Sequence, residues 1–360
     1  MKEKIKQLVR YHKIKRFINK HERFLMPGML LAGVVVDFVT FASIKISSAF
    51  IILGIHYVIL GSAIALSHIN SRYRIIQFLN AISPLAIQFS LGALLSASFI
   101  FYWFSGSLSA SWPIIGIVAF LMISNEVFRE NFRKPIVQIT AYYFVTFSIL
   151  SLILPFIFNS ISPWLFLTAA IASLFIIHYY MKLVHRIPAI TKTKSTLQKT
   201  VLTIFFTMLG LYVFNIIPPI PLSLKEAGIY HNVTRSGSTY ILEEEKESLL
   251  AKFLPGQTLH IKKGENLYAF TAIFAPSKLN TQIYHKWEFK RDGKWIEKDR
   301  LRFGISGGRE DGFRGFSRKS DLPEGKWRVT VETKKGQSLG RIKFKIKNQS
   351  NSPQINQITK

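Results

Sequence analysis

Long apolar runs fill the first two thirds of the chain, and short polar stretches interrupt them. A helix that crosses a bilayer needs about 20 mostly apolar residues. Seven runs approach that length, and the fourth is the shortest: residues 24–44, 49–67, 80–103, 111–127, 136–157, 163–181 and 200–217. The pattern predicts a transmembrane helical domain of about seven helices over residues 24–217.

A proline-rich junction follows the last run. Pro218, Pro219 and Pro221 cannot continue a helix, because proline lacks a backbone N–H and fixes φ. We predict a stiff junction over residues 218–231, in which Ser223 to His231 forms a short polar connection.

The hydrophobic period then changes to two. In residues 232–347, apolar and polar positions alternate in segments that include Tyr268, Ile283, Leu301, Trp327 and Ile342. Gly-containing turn signals separate these segments. About seven short strands of this kind predict an all-β sandwich, immunoglobulin-like in architecture.

Two segments near this domain depart from that pattern. Residues 243–253 have apolar positions at helical spacing and predict an amphipathic helix. Residues 348–360 are rich in Asn, Gln and Ser, and we expect a disordered tail there.

The distribution of basic residues predicts the orientation in the membrane. Loops near residues 72–74, 129–134 and 182–199 are basic, whereas the loops between them carry almost no charge. Because cytoplasmic loops are enriched in Lys and Arg, this parity gives a cytoplasmic N-terminus and an extracytoplasmic C-terminal domain. Three tryptophans fall at predicted outer helix ends: Trp103, Trp112 and Trp164.

Residues 1–23 hold nine Lys and Arg and two Glu, with apolar residues at helical spacing. One interpretation is a basic cytoplasmic amphipathic segment that lies on an anionic leaflet. The other is a positive flank that only sets topology. Both stay open.

The total charge of +27 does not by itself indicate a nucleic-acid-binding protein. Residues 1–219 hold 20 basic and 5 acidic residues, and residues 220–360 hold 27 and 15. The sequence has no nucleic-acid-binding motif, so we expect no nucleic-acid partner.

The absence of Cys excludes disulfides and Cys-ligated metals, the histidines are scattered, and there is no P-loop. We therefore expect neither a metal nor a cofactor.

The most concentrated candidate chemistry lies between Gly304 and Arg318, a stretch with five glycines and three arginines. A glycine-rich loop can bring N–H groups to an anion, and Arg binds carboxylate or phosphate bidentately. One hypothesis is an anion site at Arg309, Arg314 and Arg318. The alternative is a long hairpin turn whose arginines pair with Glu310, Asp311 and Asp321.

Other polar residues of the β domain allow two interpretations each. His285 shares a strand face with apolar residues, which is typical of a hydrogen-bonded core histidine, although a ligand contact is also possible. Ser317 lacks a G-x-S-x-G elbow, so a serine hydrolase is weakly supported. Trp287 and Trp327 fit core positions, and Trp295 follows a turn and fits an exposed one.

Asp37 is the one acidic residue well inside a predicted span. A buried carboxylate costs several kcal/mol, so it should face the bundle or be protonated. A proton or ion relay with His56 or His178 is one hypothesis. The other, which we favour, is a structural pair with Lys45.

Several segments together resemble a known bacterial family, domain of unknown function 2914. They include IPPIPLSLKEAGIYH, IYHKWEF, ISGGREDGFRGFSRKSDLPEGKWRVTVET and LGRIKF, while HERFLMPG and Asp37 resemble the membrane region that accompanies it. The resemblance implies an inner-membrane protein with a C-terminal extracytoplasmic domain, and it implies no activity. The matching positions are Pro218, Pro219, His231, His285, Trp287, Gly307, Gly308, Arg309, Gly312, Arg314, Ser317, Gly325, Trp327 and Arg328.

These observations favour a non-enzymatic membrane protein. Its basic β-sandwich would bind an anionic envelope component, such as a lipid headgroup or glycan, or an envelope protein. The candidate ligand-binding residues are His285, Trp287, Gly307, Gly308, Arg309, Gly312, Arg314, Ser317, Arg318 and Arg328. An ion-coupled transporter is the second hypothesis, and an envelope enzyme is the third.

Overall fold

The computed structural model describes residues 46–106, 108–128, 130–218, 221–245, 257–262, 264–276, 279–308, 311–349 and 353–360. The predicted amphipathic segment, the first predicted span, Asp37 and Arg309 lie outside these residues. The chain divides into two compact units, the first mostly helical and the second containing all the described strands.

Six predicted spans fall within the described residues, and each coincides with a helix. Five helices, α1, α2, α4, α5 and α7, are long and apolar enough to cross a membrane, and α3 contains a shorter apolar stretch, Ala110–Asn125. A 3-10 turn covers Asn131–Arg133. The helices are α1 Ile46–Ser67, α2 Arg74–Ser105, α3 Leu108–Val127, α4 Pro135–Ile157, α5 Pro163–Leu183, α6 Pro188–Thr191 and α7 Lys194–Val213.

Aromatic and small residues hold α1, α4 and α5 together within the first unit. The Tyr57 hydroxyl lies 3.0 Å from Thr146 Oγ1, and its ring stacks on Tyr142 at 4.9 Å between centroids. Tyr180 donates a hydrogen bond to the Gly61 carbonyl. A Cβ at Gly61 would lie 2.7 Å from the Tyr142 hydroxyl. The glycine therefore permits the close approach of these helices.

The described part of the β domain contains eleven strands. They are β1 Ser223–Tyr230, β2 Asn232–Ser236, β3 Thr239–Glu245, β4 Gln257–Ile261, β5 Leu267–Phe274, β6 Asn280–Arg291, β7 Lys294–Ser306, β8 Phe313–Lys319, β9 Gly325–Thr333, β10 Ser338–Asn348 and β11 Ile355–Thr359.

Two sheets form the sandwich that the alternating pattern predicts. One has the order β1-β5-β8 and the other β4-β10-β9-β6-β7. Inward side chains from both sheets, including Ile229, Trp287, Trp327 and Phe344, form one buried cluster. The prediction that Trp287 and Trp327 are core residues is confirmed, since both are fully buried.

A third sheet, β11-β3-β2, adds a layer that the sequence did not predict. Tyr240 and Leu242 of this sheet pack on Phe270, which lies on the side of β5 that faces away from the main core. The small sheet therefore covers part of the three-stranded sheet, and the β domain has three layers.

Two local predictions are wrong, and a third is wrong for its first three residues. The expected connection at Ser223 to His231 is largely strand β1, paired with β5. The expected helix at residues 243–253 begins inside β3, although its remainder lies outside the described residues. The expected disordered tail contains β11, paired with β3. In each case backbone pairing with a neighbouring strand overrides a weak local pattern.

The second unit also contains helix ends: Phe101–Ile115, Ser151–Thr168 and the start of Met208–Lys360. Ser223 Oγ donates to the Phe104 carbonyl at 2.9 Å, and Asn215 Nδ2 donates to the Lys335 carbonyl at 3.3 Å. Gln337 Nε2 donates to the Ile217 carbonyl. These helix ends are among those for which the basic-residue pattern predicts an outer location.

Candidate anion-binding face of the five-stranded sheet

Charged side chains collect on the outer face of the five-stranded sheet. Because β-strand side chains alternate, the residues between the buried positions of β6 and β9 face outward. The register places Glu288 opposite Arg328, Lys286 opposite Thr330, and Tyr284 opposite Glu332. The strand pairing thus brings residues from distant parts of the sequence into one polar layer.

Glu288 is almost fully buried beneath this layer and is held by a bidentate pair with Arg328. Arg328 Nε and Nη2 lie 2.6 and 2.7 Å from its two oxygens, and Thr330 Oγ1 donates at 3.0 Å. Burial opposes ionisation of Glu288, but these hydrogen bonds and the nearby Lys286 charge hold its pKa below the usual value. The Arg328 guanidinium also stacks on Trp295, 4.5 Å from the ring centroid.

Glu332 is a second buried carboxylate on the same face. Arg300 Nη2 lies 2.9 Å from one of its oxygens, and Lys286 Nζ lies 3.3 Å from the other. Arg300 stacks over Tyr284 at 4.5 Å. Carboxylates below and aromatic rings beside the cations restrict their rotamers, so the positive groups are preorganised.

The face carries more positive than negative charge. Paired positions on β7 and β10 extend it, since Tyr284 is opposite Arg302, Thr330 opposite Arg341, and Arg328 opposite Lys343. The basic residues are Lys286, Arg300, Arg302, Arg328, Arg341 and Lys343, and the acidic residues at registered positions are Glu288, Glu297 and Glu332. This surplus can attract a phosphate, sulfate or carboxylate group by charge and by guanidinium hydrogen bonds.

His285, Trp287 and Ser317 meet in the interior, between the two large sheets. His285 Nδ1 lies 2.8 Å from Ser317 Oγ, and Nε2 lies 3.0 Å from Thr271 Oγ1. Trp287 Nε1 donates to Ser317 Oγ at 3.1 Å. Burial lowers the pKa of His285 to about 3, so the ring is neutral at physiological pH. His285 and Ser317 are therefore in contact, but they lie in the buried core, where their hydrogen bond links the two sheets.

The glycines of the predicted loop have structural roles in the described residues. The amides of Gly307 and Gly308 donate to the carbonyls of Leu279 and Ala275. A Cβ at Gly307 would collide with the Pro276 carbonyl, and Gly312 adopts a φ of +89°. The backbone therefore requires glycine at positions 307 and 312, as expected for a packed turn.

The arginines of that stretch point elsewhere. Arg314 Nη1 donates to the Ser238 carbonyl at 3.4 Å, and Arg318 is exposed on β8. Both belong to the three-stranded sheet, whereas Arg328 belongs to the five-stranded one. The residues predicted as one ligand site are thus divided among the core, a turn and two sheets.

Sequence reasoning missed a cluster of two histidines on one carboxylate. His231 Nε2 and His260 Nδ1 each lie 2.9 Å from a different oxygen of Glu245. Burial would raise the pKa of Glu245, but the hydrogen bonds from both histidines outweigh it and lower the pKa. The cluster joins β3 to β4. Within the described residues no group of His, Cys, Asp and Glu could hold a metal ion.

The histidines of the helices have separate surroundings. His56 Nδ1 lies 3.4 Å from Ser90 Oγ, and the ring contacts Phe89 edge-on. His178 is exposed on α5 beside Tyr179. The two histidines therefore have no neighbour in common among these contacts.

Comparison with known proteins confirms the family resemblance for part of the chain. A model of the family described as "Protein of unknown function (DUF2914)" matches residues 280–346. This segment runs from the first residue of β6 into β10 and includes the whole charged face described above. No curated protein matches the chain.

The solved structures that match this chain have low sequence identity to it and low TM-scores. An immunoglobulin-like protein from Pseudomonas aeruginosa is 12% identical, with a TM-score of 0.19, and the match covers 33% of this chain and 97% of that one. A β-glucosidase from Listeria innocua is 10% identical, with a TM-score of 0.19 and coverage of 32% and 17%. The alkylpurine DNA glycosylase AlkC of Pseudomonas fluorescens is 10% identical, with a TM-score of 0.21 and coverage of 81% and 97%.

Proposed function

We propose that this chain is a multi-pass protein of the bacterial inner (cytoplasmic) membrane whose β domain binds an anionic envelope component on the extracytoplasmic side. Five long apolar helices and the alternation of basic and uncharged loops support the membrane location. The helix ends that share a unit with the β domain are among those predicted to lie outside.

The observation that carries the binding proposal is the preorganised positive surplus on the five-stranded sheet. Glu288 and Glu332 fix Arg328, Arg300 and Lys286, while the neighbouring Arg302 and Lys343 add charge that these two carboxylates do not bind directly. An anionic ligand that meets this face gains favourable charge interactions, and the paired cations Arg328, Arg300 and Lys286 need no further ordering.

The test is co-sedimentation of the full chain, held in neutral-lipid nanodiscs, with vesicles rich in phosphatidylglycerol and with purified cell-wall glycan. Binding should weaken several-fold for Arg302→Gln with Lys343→Gln and should fall as salt rises. The matched control is Arg314→Gln with Arg318→Gln, which removes the same charge from the other sheet. Equal losses in both variants, or binding indifferent to salt, would overturn the proposal.

No specific observation favours transport or catalysis. His56 and His178 have separate neighbours, and the His285–Ser317 pair serves as a buried link between the sheets. We therefore propose a binding or scaffold role for the domain.

A further inference from the structure

A groove between α5 and α7 lies outside the site described above. Its volume is about 780 Å³, within the range of sites that hold small molecules. Leu174, Ile177 and Met181 of α5 line it together with Leu197 and Val201 of α7. The walls are therefore apolar over most of their length.

Both lysines that line the groove lie at one end of it, whereas His178 and Gln198 are polar residues farther along its walls. Lys182 comes from the end of α5 and Lys194 from the start of α7, with Thr191 of α6 between them in sequence. From Lys182 to Leu174 the helix rises about 12 Å, which approaches the depth of one leaflet of the hydrocarbon core. We call the end with Lys182 and Lys194 the mouth of the groove. The mostly apolar remainder, which is about as long as one leaflet, is its shaft.

The charges at the mouth are not balanced locally. The sequence contains no Asp or Glu between Glu130 and Glu226, so the lysines have no acidic partner in their own helices or connecting loop. The same loop adds Arg186 and Lys192. An anionic group at the mouth would therefore be attracted by several cations at once.

We propose that this groove binds an anionic phospholipid of the inner leaflet, with its acyl chain along the shaft and its phosphate between Lys182 and Lys194. The proposal rests on the membrane location inferred above, which places this loop on the cytoplasmic side. Charge complementarity selects lipid over the chain's own residues 1–23, because that segment carries nine basic and two acidic residues and would be repelled.

The experiment is native mass spectrometry of the full chain released from nanodiscs that contain phosphatidylglycerol and phosphatidylcholine. Wild type should retain phosphatidylglycerol preferentially. Lys182→Gln and Lys194→Gln should each reduce that preference about fivefold. Lys199→Gln, an exposed lysine on α7 outside the groove, is the matched control and should change nothing. Val201→Phe, which fills the shaft, should reduce retention of both lipids.

An unchanged preference in the Lys182→Gln/Lys194→Gln variant would overturn the lipid site. Increased phosphatidylglycerol binding after deletion of residues 1–23 would also overturn it, since the chain's own segment would then be the occupant. Extraction of membranes with alkaline carbonate distinguishes the loss of this lipid site from failure of the proposed function. A chain that carbonate releases from membranes is not integral, and both proposals fall. A chain that stays integral without lipid preference loses only this one.

Discussion

Two histidine environments in the β domain show how burial decides the role of one residue type. His285 is fully buried and neutral. Its ring forms hydrogen bonds with Ser317 and Thr271 across the interface of the two large sheets. His231 and His260 instead contact the ionised Glu245. Sequence alone could not distinguish these environments, because the partners are 14 or more residues away.

The buried His285 predicts a defined pH dependence of stability. Its folded pKa is about 3, and an unfolded histidine has a pKa near 6.5. The unfolded state therefore binds more protons, and the free energy of unfolding should decrease below pH ~6.5 by up to about 1.4 kcal/mol per pH unit. Urea titrations between pH 7 and pH 5, followed by tryptophan fluorescence, measure this slope.

His285→Gln supplies the comparison for that slope. The variant loses the titrating group, so its stability should depend less steeply on pH over the same interval, whatever its stability at pH 7. Identical slopes for the two proteins would show that another group causes the acid sensitivity.

Among the elements, helices α1 to α5 and α7 and most strands from β5 to β10 could be predicted from sequence, since long apolar runs and strict alternation are strong signals. Strands β1, β3 and β11 could not. Ser223–Tyr230 contains Lys225, Glu226 and Gly228, and it becomes a strand because it pairs with β5. Short strands of this kind depend on tertiary partners more than on local pattern.

The charged face was only partly predictable for a similar reason. Arg328 stood out through the family resemblance, whereas Glu288 and Glu332 resembled ordinary outward positions of an alternating strand. Their burial follows from cations that are distant in sequence: Glu288 of β6 pairs with Arg328 of the adjacent β9, and Glu332 of β9 pairs with Arg300 of β7, two strands away. Cross-strand register is therefore the information that the sequence pattern lacked.

Arg328→Gln should destabilise the β domain by about 3 kcal/mol, because it leaves the buried Glu288 carboxylate without its bidentate partner. Chemical denaturation measures the change. Adding Glu288→Gln should restore part of the loss, and Arg318→Gln, at an exposed position, should cost about 0.5 kcal/mol or less. If Arg328→Gln is as mild as Arg318→Gln, the pair does not stabilise the sheet.

For the whole molecule, the compact unit that contains the sandwich also contains several helix ends. The basic-residue pattern assigns the ends near Trp103, Trp112 and Trp164 to the outside, and the same ends belong to the compact unit that contains the sandwich. Hydrogen bonds from Ser223, Asn215 and Gln337 join backbone groups inside that unit. These contacts hold the sandwich against the adjoining helix ends within that unit.

The central claim, a β domain on the extracytoplasmic side of a multi-pass protein, can be tested directly with single cysteines, because the native chain has none. Lys294→Cys lies at the exposed first position of β7, next to the turn from β6, and Lys192→Cys lies exposed between α6 and α7. The measurement is labelling of bacterial cells with a membrane-impermeant maleimide after permeabilisation of the outer membrane. We predict that Lys294→Cys is labelled and that Lys192→Cys is labelled only after lysis. Labelling of Lys192→Cys from outside, with Lys294→Cys protected, would contradict the account.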